Sequence, residues 1–62
     1  MMYQRFDLDI NNMDRLADYL TSNGYNFFRI DDEEVSVLLV LEDEVEYVKT
    51  ICEDEGIEYF CN

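Results

Sequence analysis

The chain is 62 residues long and carries 16 acidic side chains against four basic ones, with no histidine, for a formal net charge of −12. Almost half of its residues are hydrophobic and none is proline, so a disordered polyanion is disfavoured and one small folded domain over residues 1–62 is expected. Direct nucleic-acid binding and attachment to anionic membranes are excluded, because both need clustered cations and these are scattered at Arg5, Arg15, Arg29 and Lys49.

Tyr3 to Ile10 is rich in aromatic and branched residues and predicts a first strand. Met13, Leu16, Ala17 and Leu20 follow at the i, i+3, i+4, i+7 spacing of one helix face, with Asn11 or Asn12 as the N-cap and Gly24 as a left-handed stop. Tyr25 to Ile30 predicts a second strand, Asp31 to Glu34 a hairpin turn, and Val35 to Leu41 a third strand. Val45, Val48, Ile51 and Cys52 share the face of a second helix, where Asp43 and Glu46 have capping-box spacing. Ile57 to Cys61 reads as the last strand.

A shift of 32 residues superimposes the two halves, about 3–30 and 35–61. Phe6 falls on Leu38, Leu8 on Val40, Met13 on Val45, Leu16 on Val48 and Leu20 on Cys52. Gly24 falls on Gly56, with the aromatic segments behind them in register. Two tandem strand-helix-strand halves joined by a hairpin predict an α+β fold of ferredoxin-like βαββαβ type, with a four-stranded antiparallel sheet in the order 4-1-3-2 and two helices on one face.

Chain direction in that arrangement gathers carboxylates toward one pole: Asp7, Asp9, Asp31, Asp32, Glu33, Glu34, Glu53, Asp54, Glu55 and Glu58. Glu42, Asp43, Glu44 and Glu46 mark the opposite pole, at the positive end of the second helix dipole. Residues 1–32 hold six acids and three bases, and residues 33–62 hold ten acids and one base, so the second half is the more charged. Folding brings these like charges together, and the denaturation midpoint is expected to rise with added salt from low ionic strength. A salt-independent urea midpoint would contradict this.

Catalysis finds little support. A nucleophilic triad needs a base beside the nucleophile, and paired carboxylates need a cleft that a domain this small rarely provides, so no enzyme is expected. The carboxylate spacings do not fit an EF-hand, and zinc would need more than Cys52 and Cys61, so neither metal nor cofactor is expected. The two cysteines are expected as structural thiols, because helix and strand place their sulfurs at different heights. With no apolar leader and no apolar run longer than Val35 to Leu41, a cytoplasmic location is expected.

A net charge of −12 exceeds the magnitude of about 2 to 8 that serves solubility in a small domain. Twelve charges match about 20 Å of duplex DNA, so the chain has nearly the linear charge density of DNA. Strand three adds a second feature: Leu38 and Val40 occupy core positions of the repeat, which leaves Val37, Leu39 and Leu41 on the sheet face that the helices do not cover. Some of Tyr3, Tyr25, Phe27 and Tyr59 are expected beside them, in a patch suited to a homodimer or a docked partner.

Small size, high negative charge and the lack of catalytic residues resemble the phage-encoded inhibitors that mimic DNA, small acidic anti-CRISPR proteins in particular. The resemblance spans the whole chain in composition and carries no motif. It implies a protein in the cytoplasm of an infected bacterium that blocks the basic DNA-binding site of a host protein, such as a CRISPR effector where target DNA or its PAM enters. The alternative is a ferredoxin-like interaction or dimeric regulatory module, antitoxin-like, that works through the open sheet face.

Overall fold

The computed structural model describes residues 2–61 as an α+β fold. In chain order the elements are β1 (Tyr3–Leu8), α1 (Ile10–Ser22), β2 (Phe27–Asp31), β3 (Ser36–Leu41), a 3₁₀ turn (Glu42–Glu44), α2 (Val45–Glu55) and β4 (Phe60–Cys61). One sheet holds all four strands in the order β2-β3-β1-β4, which counted from the β4 edge runs 4-1-3-2, and every neighbouring pair is antiparallel.

Strand alternation divides the sheet into two faces. Phe6 and Leu8 of β1 and Leu38 and Val40 of β3 point to one face and are buried, together with Met13, Leu16 and Leu20 of α1, Val48 and Cys52 of α2, and Ile57. The repeat therefore maps core onto core. Of the five paired positions only Val45 is incompletely buried, and it still packs against the cluster. Both repeat glycines take positive φ, 75° at Gly24 and 66° at Gly56, the left-handed conformation that ends each helix.

Several boundaries differ from the sequence expectation. Helix α1 is capped by Asp9, whose carboxylate accepts from the Asn12 backbone N–H at 2.8 Å, in place of Asn11 or Asn12. β1 stops at Leu8, and the next residue, Asp9, starts α1. The expected cap at Asp43 is replaced by the 3₁₀ turn, and α2 begins from Glu44 with no side-chain cap bond. Residues 57–59 fall outside β4, which pairs with β1 only at Phe6↔Cys61 and Asp7↔Phe60. Ile57 and Tyr59 turn into the core instead, where Tyr59 lies 5.3 Å from the Phe6 ring.

Candidate functional site

Both poles of the sheet are acidic, but the carboxylates differ in what holds them. At the end where β1 and β2 finish, Asp7, Asp9, Glu34 and Glu58 line one hollow with Leu8, Val35 and Phe60. Four of the ten expected carboxylates are therefore brought around one depression, contributed by β1, the β2–β3 turn and the segment before β4. Glu58 reaches it although it precedes β4. Asp7 is engaged by Arg5 at 2.7 Å and Asp9 by its capping bonds, which leaves Glu34 and Glu58 as the exposed members without such a structural task among the bonds described.

Asp31 is turned away from this group. Its carboxylate accepts from Arg29 Nε at 2.9 Å and from the Ser36 hydroxyl at 2.8 Å, and these two donors hold its pKa below the ordinary carboxylate value. Arg29 also reaches Asp14 at 2.6 Å, so its guanidinium ties edge strand β2 to α1. The hairpin closes with the Asp32 N–H donating to the Val35 carbonyl, while the Asp32 carboxylate accepts from the Glu33 N–H. Glu55 also faces elsewhere: its carboxylate accepts from the Tyr19 hydroxyl and its carbonyl from Arg15, so it joins α2 to α1. Glu33, Glu53 and Asp54 are exposed.

A lowered Asp31 pKa stabilises the fold above the unfolded value of 3.8, and this contribution disappears as pH falls through the still lower folded value. The stability difference between wild type and Asp31→Asn is accordingly expected to shrink as pH drops below 3.8, as read from urea midpoints. A constant difference across that range would show that the carboxylate's charge is not what matters.

At the opposite end, Glu42 and Asp43 line a shallow depression with Met2 and Leu41, and Glu46 is exposed on the first turn of α2. Glu44 is partly buried at the start of that helix.

The sheet face away from the helices is apolar. Cross-strand register places Tyr3 beside Leu41, Arg5 beside Leu39 and Phe28, and Asp7 beside Val37, Ile30 and Phe60. Phe28, Ile30 and Phe60 are 57%, 55% and 77% exposed, well beyond what a covered face would show. Tyr3 meets Phe28 edge-on at 5.6 Å. Val37, Leu39 and Leu41 lie where the repeat puts them, and Tyr3 joins them. Of the four aromatics from which some were expected on this face, Tyr3 alone takes that place, and Tyr25, Phe27 and Tyr59 pack against the core. The residues missed are Phe28, Ile30 and Phe60. Their signal was alternation: Phe27 pairs with buried Val40, so Phe28 and Ile30 must differ from it in face by one and by three steps.

The cysteines behave differently from one another. Cys52 is buried in the core and its thiol is pushed up to about 11, first by burial and then by the Glu53 charge, whereas Cys61 is exposed. Both are free thiols, so only Cys52 fits the structural role expected of the pair. Among the described residues, no three His, Cys, Asp or Glu side chains converge on a metal position, and no helix is long and apolar enough to cross a membrane. In comparisons with protein-family models, curated proteins and solved structures, the chain matches none.

Proposed function

We propose that this protein is an acidic mimic of nucleic acid that binds and blocks the basic DNA-binding site of another protein. The reading rests on one observation: Asp7, Asp9, Glu34 and Glu58 surround a single hollow on a chain of net charge −12. Carboxylates grouped at one end offer Lys and Arg the electrostatic pattern of successive phosphates. The longest dimension is 28 Å, so the twelve net charges are spread somewhat more thinly than on duplex DNA, where they would occupy about 20 Å. CRISPR effectors, whose DNA channels and PAM-reading clefts are lined with cations, are the first targets to assay. We also assign the chain to the ferredoxin-like βαββαβ class, supported by its two β-α-β halves and antiparallel order.

The experiment is capture of CRISPR effectors and other DNA-binding proteins on the immobilised chain, with and without competing duplex DNA, across a salt series. Capture is expected to fall steeply from low to moderate salt and to be displaced by the duplex. Binding indifferent to duplex DNA, or no binding at low salt, would sink the reading.

A further inference from the structure

The open sheet face carries no net charge although the chain carries −12. Among the paired strand residues that the register places on it, Arg5 and Asp7 are the only charged ones, and they pair with one another; at its end Asp7 and Phe60 also border the acidic hollow with Asp9, Glu34 and Glu58. Around them lie Phe28, Ile30, Val37, Leu39 and Leu41, with Phe60 on the far edge.

Its pattern is self-complementary. Arg5, Leu39 and Phe28 form one row across three strands, and Asp7, Val37 and Ile30 form the next. A two-fold axis lying in the face, across the strands and between these rows, exchanges them. Arg5 of one copy then meets Asp7 of the other, Leu39 meets Val37, and Phe28 meets Ile30. An isologous contact requires this reciprocity of partners.

From these rows we infer that the open face is the contact between two copies of this chain. Strands about 4.8 Å apart with up to six residues at about 3.3 Å each give a face of at most about 20 by 20 Å, so two copies bury no more than about 800 Å², in the range of weak, transient contacts. The dimer is therefore weak, and the acidic poles at its rim oppose it. Screening removes that opposition, so the dimer tightens with salt, opposite in sign to capture of a basic partner.

Sedimentation equilibrium of the full chain tests this between about 20 mM and about 0.5 M salt, where the screening length drops from about 20 Å to about 4 Å. The association constant is expected to rise at least about ten-fold. Leu39→Asp is expected to be monomeric throughout. Arg5→Asp and Asp7→Arg are each expected to be monomeric alone and to pair when mixed, because only the mixture restores opposite charges across the axis. A wild type that stays monomeric at high salt overturns the inference. So does a dimer that survives Leu39→Asp, which would indicate edge-strand pairing, or a mixture that associates no better than its components.

Discussion

Phe6→Ala is expected to leave little folded protein at room temperature. Phe6 is fully buried on β1, a strand flanked by β3 and β4, and its ring packs against Tyr59. Truncating a buried phenylalanine costs about 3–5 kcal/mol, whereas a 62-residue domain has a total stability of about 3–9 kcal/mol. The lower part of that range leaves no margin, and the chain's self-repulsion places it there. Circular dichroism with a urea titration measures the effect. A midpoint within a few tenths molar of wild type would mean that the core closes around the lost ring, and that like-charge repulsion takes less of the stability than is assigned to it.

Reversing charge at the two poles should affect partner binding very unequally. The double variant Glu34→Lys, Glu58→Lys alters the hollow shared with Asp7 and Asp9, and Glu42→Lys, Asp43→Lys alters the far end. Each pair changes the net charge by the same amount, so any general weakening by charge is common to both. A carboxylate in direct contact with a cation adds a local loss, here about 1.4 kcal/mol for each reversal, which makes the first pair about 100-fold weaker than the second. All four side chains are exposed, so folding should be retained, and thermal melts check this. Equal losses at both poles would remove the hollow as the contact site.

Much of the fold could be read from residue spacing, because the 32-residue repeat ties each half to the other. Leu16 with Val48 and Leu20 with Cys52 are buried alike, and Gly24 with Gly56 take the same left-handed turn. The repeat also equates Phe27 with Tyr59 and Phe28 with Phe60, and the members of each pair share a face. What it does not contain is which face each aromatic pair takes. That is decided by strand register, where Phe27 lies opposite Val40, and a shift of one residue exchanges inside for outside.

The site was legible as a total and less so as an arrangement. Chain direction brought Asp7, Asp9, Glu34 and Glu58 to one end, as topology requires. It gave no account of Asp31, held by Arg29 and Ser36, or of Glu55, held by Tyr19, because those choices depend on side-chain donors from neighbouring elements. Helix starts were misread for a related reason. Asp9, directly after β1, caps α1, and a 3₁₀ turn replaces a side-chain cap before α2.

The centre of the sheet is made between the halves and not within them. β1 from the first half pairs with β3 from the second along its whole length, from Tyr3↔Leu41 to Leu8↔Ser36, and β2 joins the sheet only through β3. Neither half owns two adjacent strands, so a separated half would have a helix with no sheet to cover. The repeat is thus a duplication of pattern without a duplication of autonomy. The β2–β3 hairpin is the only local pairing, and the sheet gains its centre only when the chain between Leu8 and Ser36, 28 positions apart, closes to bring β1 onto β3.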